Sequence, residues 1–151
     1  MKDLDRKICQ LLQDNARLSL SEIAEIVGAS VPTVSDHVRK LEADRTILGY
    51  HTVLDAKTFG YDVTAFIFVD VENSMAYDAF RKQCRQRTEI LEVHAITGTA
   101  SHVLKVRVPT TDALEHLLST IQRWKGVTRT HTNVVLSTHK EQLHIALQSG
   151  S

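Results

Sequence analysis

Three things are scarce in this chain of 151 residues, and each scarcity excludes a class of protein. There are two cysteines, Cys9 and Cys84, which are too few for a disulfide framework and favour a reducing compartment. The longest apolar runs are short, such as 66–69, whereas a membrane span needs about 20 apolar residues. The 18 Lys and Arg residues balance 18 Asp and Glu residues, so binding to nucleic acid would have to depend on local charge.

The rest of the composition is that of an ordinary globular protein, with 42% hydrophobic and 24% charged residues. A chain of this length buries roughly 70% of its unfolded surface and can form one average domain or two small ones. The chain starts with charged residues where a signal peptide would be apolar. We therefore expect a cytoplasmic protein with no membrane segment.

The first part of the chain has the pattern of three helices. Apolar side chains recur at helical spacing over residues 3–14, which predicts a helix with Asp3 at its N-cap. Ser19 and Glu22 have the spacing of a capping box that opens a second helix. Gly28 then follows where a helix end needs a left-handed residue.

A third helix completes a helix-turn-helix. Ser30 can cap it, and Pro32 lies in its first turn, where a missing N–H does no harm. Its buried stripe is predicted to contain Val34, Val38 and Leu41. Two helices joined by a short turn that contains glycine describe this motif.

The domain boundaries follow from a change of pattern after the third helix. Residues 47–54 alternate as a short two-stranded ribbon would, with Gly49 at its bend. We therefore assign residues 1–54 to a winged helix-turn-helix domain and residues 55–61 to a linker.

Residues 62–151 have the pattern of alternating strands and helices, apart from an expected frayed tail over 148–151. Strands are predicted over 63–71, 90–97, 102–108 and 127–138, and helices around 77–84 and 114–121, the second ended by Gly126. The order is βαββαβ, the ferredoxin-like pattern, and the fold class is therefore α+β.

The first strand of this second domain favours a second copy of the chain. Its apolar residues alternate with Phe66 and Phe68 on the opposite side. Two helices cover only one face of a four-stranded sheet, so both rings would be exposed on the other face. A second copy of the same sheet is the simplest cover, which predicts an isologous dimer.

The third helix is the candidate DNA-binding element, because a recognition helix presents the side chains opposite its buried stripe to the major groove. The candidate residues are Ser30, Pro32, Thr33, Ser35, Asp36, His37, Arg39 and Lys40. Arg39 can bind phosphate or guanine, and Asp36 can accept from cytosine. Two simpler interpretations stay open: Asp36 pairs with Arg39 or Lys40, or the three helices are only structural.

The net charge of the first domain does not favour binding to DNA. Residues 1–50 carry seven basic and eight acidic side chains, whereas phosphate contacts supply most of the affinity for DNA. One such domain is expected to bind weakly, and several on one assembly gain affinity through effective concentration. The charge therefore favours an oligomer that binds several half-sites of double-stranded DNA.

The turn between the second and third strands is a candidate small-molecule site. Glycine permits a tight turn whose exposed N–H groups suit a carboxylate, although most short turns with glycine are only hairpins. The candidate residues are Gly98, Thr99, Ala100, Ser101 and His102. The eight histidines lack zinc-like spacing, and no catalytic triad or phosphate loop is present. We therefore expect no metal, no cofactor and no enzymatic activity.

Short motifs in both domains occur in the order typical of one family. They cover 4–8, 11–17, 23–28, 38–42, 47–50, 97–98, 103–106 and 126–127. Together they resemble the Lrp/AsnC family, the feast/famine transcriptional regulators, over about residues 3 to 140. The resemblance implies a winged helix-turn-helix, a ferredoxin-like (RAM/ACT-like) effector domain, and dimers that assemble into octamers. It also implies an association with the nucleoid, and an amino-acid effector bound at the hairpin between dimers.

Three positions depart from the family pattern. Ser101 stands where an Asp is common in the hairpin, so it cannot supply charge to an ammonium group, and a different effector or none stays open. Arg45 stands where glycine is usual after the third helix, and a left-handed arginine costs roughly 1 kcal/mol. Asp36 stands where a basic residue is common, which removes one phosphate partner.

Two alternatives to a regulator stay open. Some relatives with this layout are sirohaem decarboxylases, and the histidine count suits an enzyme that handles tetrapyrroles, although the intact third helix argues against it. The other alternative is an effector-binding scaffold, which would form oligomers without affinity for DNA.

Overall fold

The computed structural model describes residues 3–147, and their contacts form two compact units. The first unit holds the described residues up to Val53 together with those from Lys140 onward, and the second unit is Leu54–His139. The sequence assigned every residue after 61 to the second domain, so the C-terminal segment belongs to a different unit from the one expected. The predicted frayed tail, 148–151, lies outside the described residues.

The first unit contains three helices around a small apolar core. They are α1 (Asp3–Asp14), α2 (Leu20–Val27) and α3 (Val31–Ala43). The fully buried centre of this core is formed by Ile8, Ile23 and Val34, one from each helix. Asp3 already lies within α1, so the prediction that it is the N-cap is wrong.

The caps fix the turn between α2 and α3. Ser19 and Glu22 form the predicted capping box, and Gly28 adopts the predicted left-handed conformation with φ of 68°. Ser30 caps α3 by accepting from the Thr33 N–H, and Pro32 lies in the first turn. These local features confirm the helix-turn-helix.

Arg45 occupies the left-handed region with φ of 60°. The helix therefore ends as it would with glycine, since α3 stops at Ala43 and Asp44 follows as its cap. This arginine retains the conformational cost of roughly 1 kcal/mol that a glycine would avoid.

The predicted ribbon over 47–54 is wrong, because these residues form no strand. Leu48 and Val53 are 80% and 90% exposed, so within the described residues only Ile47 of this stretch packs on the core. A two-stranded ribbon is marginal without further packing, which explains why the pattern alone does not produce one. Tyr50 instead donates from its hydroxyl to Glu42 Oε1 at 3.0 Å, which ties this segment to α3.

The second unit is one sheet with two helices. After a short 3-10 helix it contains β1 (Val63–Val71), α4 (Ser74–Arg85), β2 (Ile90–Ala95), β3 (His102–Val108), α5 (Thr111–Gln122) and β4 (Val127–Val134). The sheet order is β2-β3-β1-β4, and every neighbouring pair is antiparallel. The predicted α+β class and the βαββαβ order are therefore confirmed.

Three predicted ends in this unit are wrong. Strand β2 ends at Ala95 instead of 97, because the chain turns there and the Ile96 N–H donates to Ser101 O. Strand β4 ends at Val134 instead of 138, because its partner β1 begins at Val63. Gly126 does not end α5, which stops at Gln122; with φ of 89°, it turns the chain into β4.

The two faces of the sheet differ as the alternation in β1 predicts. Ala65, Ile67 and Val69 are fully buried beneath α4 and α5, where Phe80 and Ile121 complete the core. On the other face Phe66 is 38% exposed. No described helix has the length and apolarity needed to cross a membrane.

Residues 140–147 are held on α1 by reciprocal bonds. Gln13 Nε2 donates to Ile145 O at 2.8 Å, and the Ile145 N–H donates to Gln13 Oε1 at 2.9 Å. His144 Nδ1 lies 3.5 Å from Asp14 Oδ1. One side-chain amide therefore pairs with both backbone groups of Ile145, as a neighbouring strand would.

Candidate DNA-binding and effector sites

Helix α3 presents one exposed stripe of polar side chains. Within the helix itself, after its cap Ser30, the exposed candidates are Pro32, Thr33, Asp36, Arg39 and Lys40. Their spacing of three or four residues brings them to one face, opposite the buried Val34 and Leu41. We call these five residues the α3 stripe.

The N-terminus of α3 lies at one end of this stripe. Ser30 Oγ accepts from the Thr33 N–H at 3.3 Å, and the two hydroxyl oxygens lie 2.8 Å apart. Both hydroxyls are exposed beside the first turn of the helix. Pro32 has no N–H and the Thr33 N–H is bonded to Ser30, so this end offers two hydroxyls and the positive end of the helix dipole to a phosphate of the DNA backbone.

Within the α3 stripe, Asp36 pairs with Arg39, which is one of the two partners that the sequence predicts for it. The Arg39 guanidinium lies 3.8 Å from Asp36 Oδ1, and both side chains are about three-quarters exposed. Such surface pairs contribute at most about 1 kcal/mol, and salt screens them. A phosphate or a base can therefore compete with Asp36 for Arg39.

Two predicted DNA-binding residues lie away from the exposed stripe. Ser35 and His37 are half-buried. His37 Nδ1 lies 2.6 Å from Asp5 Oδ1, so its ring turns toward α1. Asp5 was missed by the sequence reasoning, although its spacing from Ile8 puts a carboxylate on the buried face of α1.

The hairpin after β2 is pinned to β1 by Ser101. The Ser101 hydroxyl donates to Val69 O at 2.9 Å and accepts from the Val71 N–H at 2.9 Å. Gly98 has φ of 113°, and a side chain there would meet no atom within 4 Å. Ser101 therefore faces the domain interior, where it holds the turn in position.

His102 is buried directly beneath this hairpin. Its Nδ1 lies 2.9 Å from Ser101 Oγ, and its ring packs edge-on against Tyr77 and at a tilt against Phe80. Because the Ser101 hydroxyl hydrogen is used on Val69 O, His102 Nδ1 carries the hydrogen of this contact. Burial lowers the pKa of His102, and the nearby Arg81 lowers it further, so the ring is neutral at neutral pH.

A surface cavity of about 520 Å³ opens beside the tip of the hairpin. Of the five predicted effector residues, Thr99 and Ala100 line it, whereas Gly98, Ser101 and His102 do not. The other lining residues come from β1 and β4: Phe68, Asp70, Arg129, Thr130, His131 and Asn133. Arg129 Nε donates to Asp70 Oδ2 at 2.9 Å at the edge of this cavity.

The residues of β1 and β4 in this cavity were missed from the sequence. Asp70 is a charged residue on the open-face side of an otherwise apolar strand, which is a usable signal. Arg129 lies 59 residues away and carried no such signal. Among residues 3–147, no group of three His, Cys, Asp or Glu side chains could hold a metal ion.

Comparison with known proteins decides the family of this chain. The family model described as the Lrp/AsnC ligand binding domain matches residues 64–145. The chain belongs to the Lrp/AsnC family of transcriptional regulators. A second model, described as winged helix-turn-helix DNA-binding, matches residues 1–47, so the Lrp/AsnC assignment covers both units.

Relatives of this Lrp/AsnC chain match it over nearly its whole length. The HTH-type transcriptional regulator FL11 of Pyrococcus horikoshii is 32% identical over 98% of this chain and 97% of its own. The crystal structure of a Neisseria meningitidis transcriptional regulator in complex with L-Met has a TM-score of 0.90 at 26% identity, over 97% and 96% of the two chains. A feast or famine regulatory protein from M. tuberculosis complexed with L-methionine has a TM-score of 0.89 at 28% identity, over 95% and 97%.

Proposed function

We propose that this Lrp/AsnC regulator binds double-stranded DNA through the α3 stripe and acts by binding, not by catalysis. The observation that carries the proposal is the outward stripe at a capped helix N-terminus, with Arg39 held only by a weak surface pair. A helix with these features fits the major groove. The regulator then works in the cytoplasm, on DNA of the nucleoid.

The cap residue Ser30 and four residues of the α3 stripe have defined roles in this proposal. The Ser30 and Thr33 hydroxyls, at the positive end of the α3 dipole, bind a phosphate, which fixes the helix on the DNA backbone. Arg39 and Lys40 neutralise phosphates or donate to guanine. Asp36 releases Arg39 on binding and accepts from a cytosine amine.

The regulator acts as a dimer that assembles further, up to an octamer. The open face of the sheet supports this proposal, since Phe66 is partly exposed there and a second sheet would cover it. The balance of charge over residues 1–50 supports the oligomer as well. A single first domain with this charge binds DNA weakly, and several such domains on one assembly gain affinity through their effective concentration.

Replacing Arg39 or Lys40 with alanine should weaken DNA binding. Each replacement should also lower the slope of log affinity against log salt concentration by about one. The probe is the duplex that the wild-type chain selects from a random-sequence pool, titrated at several salt concentrations by fluorescence anisotropy. Sedimentation of the same samples gives the number of chains on each duplex. The matched control is Lys82→Ala, an exposed lysine on α4.

Lys82→Ala should leave both affinity and salt slope unchanged. If the wild-type chain selects no duplex and binds none with salt dependence, the DNA-binding proposal is wrong. A single chain per duplex would contradict the proposed oligomer, whereas the proposal that the α3 stripe binds DNA would stand.

The effector of this regulator binds in the cavity beside the hairpin and belongs to the amino-acid class. Asp70 supports this proposal, because it brings to the cavity the carboxylate that Ser101 lacks. Arg129 uses its Nε for Asp70, and its other N–H groups suit a ligand carboxylate. Phe68 adds an apolar wall for a side chain such as that of methionine.

Replacing Arg129 with alanine should weaken the binding of L-methionine by at least about tenfold, because the ligand carboxylate loses a charged donor. Titration calorimetry measures this, and Arg85→Ala on α4 is the matched control with an exposed arginine elsewhere. Equal heats of L-methionine binding for Arg129→Ala and the wild type would contradict binding in this cavity and would place the effector on another surface. An absence of heat across a panel of amino acids would remove this ligand class.

A further inference from the structure

His37 joins the recognition helix α3 to α1 through a bond between side chains 32 residues apart. Its Nδ1 lies 2.6 Å from Asp5 Oδ1, and the two side chains are 22% and 10% exposed. His37 follows Val34 by three residues and precedes Leu41 by four, so it flanks the buried stripe of α3. It therefore lies between the core and the α3 stripe.

The chemistry of this contact fixes its direction. An ionised carboxylate only accepts, so His37 Nδ1 must carry the hydrogen and donate to Asp5. A short hydrogen bond to a charged acceptor, shielded from water, is among the stronger polar contacts in a protein. The contact thus binds α3 to α1 in one orientation.

The apolar contacts of α3 do not define its rotation with the same accuracy. Hydrophobic burial has no direction, and Val34 and Leu41 would remain buried through a small rotation of the helix about its axis. A rotation of roughly 20° moves a side-chain tip about 6 Å from the axis by about 2 Å. Hydrogen bonds to bases tolerate only a few tenths of an ångström, so rotation decides whether Arg39 meets its target.

We propose that His37 is a positioning residue for DNA binding: its bond to Asp5 sets the rotation of α3, and its ring does not contact DNA. This inference rests on the proposed DNA-binding function. It changes the role that the sequence predicted for His37, which was direct contact with DNA.

Two replacements of His37 separate positioning from contact. His37→Ala removes the bond to Asp5, whereas His37→Asn keeps an N–H donor at the Nδ1 position and removes Nε2, the ring atom left to meet DNA. Asparagine and histidine have similar helix propensities, and alanine has a higher one, so a loss in the alanine variant is not a loss of helix formation.

The measurement is anisotropy with the duplex selected by the wild-type chain, over a series of salt concentrations. His37→Ala should weaken binding about tenfold with an unchanged salt slope, and His37→Asn should restore affinity to within about twofold. In the background of Asp5→Ala, the further change His37→Ala should cost little, because the bond is already lost. Arg39→Ala is the reference, since it must lower the salt slope if α3 meets DNA.

The outcomes are distinguishable. A tenfold loss in His37→Asn, or equal losses from His37→Ala with and without Asp5→Ala, would overturn the inference and leave the DNA-binding function in place. Failure of the wild-type chain to select a duplex would overturn both. Should His37→Ala not fold by circular dichroism, Asp5→Ala takes its place as the variant that lacks the bond: a tenfold loss with an unchanged salt slope supports positioning, and wild-type affinity overturns it.

Discussion

Replacing Phe80 with alanine should lower the free energy of unfolding of the second unit by about 3–5 kcal/mol. Phe80 is fully buried between α4 and the sheet, and its ring packs against His102 and Trp124, with centroids 4.9 and 5.9 Å apart. Truncation removes the buried apolar surface and leaves a cavity that these rings cannot fill without moving. Since His102 lies beneath the hairpin, the gap left by the ring also weakens the support of the proposed effector site.

Urea unfolding followed by the fluorescence of Trp124 measures this effect. Trp124 is the one tryptophan in the sequence and lies in the second unit, so the signal reports on that unit alone. Met75→Ala is the control on the same helix, since Met75 is 90% exposed and its loss should change stability by less than about 0.5 kcal/mol. A midpoint for Phe80→Ala equal to that of Met75→Ala would show that the ring does not hold α4 to the sheet.

Replacing Gly126 with alanine should destabilise the second unit by about 2–5 kcal/mol, from two causes that add. The residue has φ of 89°, where an L side chain is strained. The second cause is a steric clash. A Cβ at this position would lie 2.6 Å from the Cβ of Ala76, so α4 or the turn before β4 must shift. The turn that leads into β4 therefore requires glycine for space as well as for conformation.

Gly60→Ala separates the two causes. Gly60 has φ of 79°, in the same region, but a Cβ there would meet no atom within 4 Å. Its replacement should therefore cost only the conformational part, about 1–2 kcal/mol. Equal losses for the two variants, in unfolding followed through Trp124, would contradict the steric contact with Ala76.

The local features of the fold could be predicted because each depends on residues close together in sequence. The capping box of Ser19, the left-handed Gly28 and the cap at Ser30 each involve contacts within a few residues. The alternation in β1 likewise marks a buried and an open face before any partner strand is known. These signals were enough for the helix-turn-helix and for the βαββαβ order.

The errors arise where a partner distant in sequence decides the outcome. Residues 47–54 alternate like a strand, but the pattern cannot supply the hydrogen-bonding neighbour that a strand needs. His37 was predicted at the DNA surface, and its actual neighbour Asp5 is 32 residues earlier. The cavity by the hairpin depends on the register of β1 with β4, which brings Asp70 opposite Arg129.

The bonds between Gln13 and Ile145 have a consequence for biosynthesis. Their partners are 132 residues apart, and the whole second unit lies between them in the chain. During translation the three helices leave the ribosome before the second unit, and the segment that pairs with the Gln13 amide emerges only after it. The first unit is thus begun before the second unit is synthesised and completed after it, and until then the Gln13 amide is open to water.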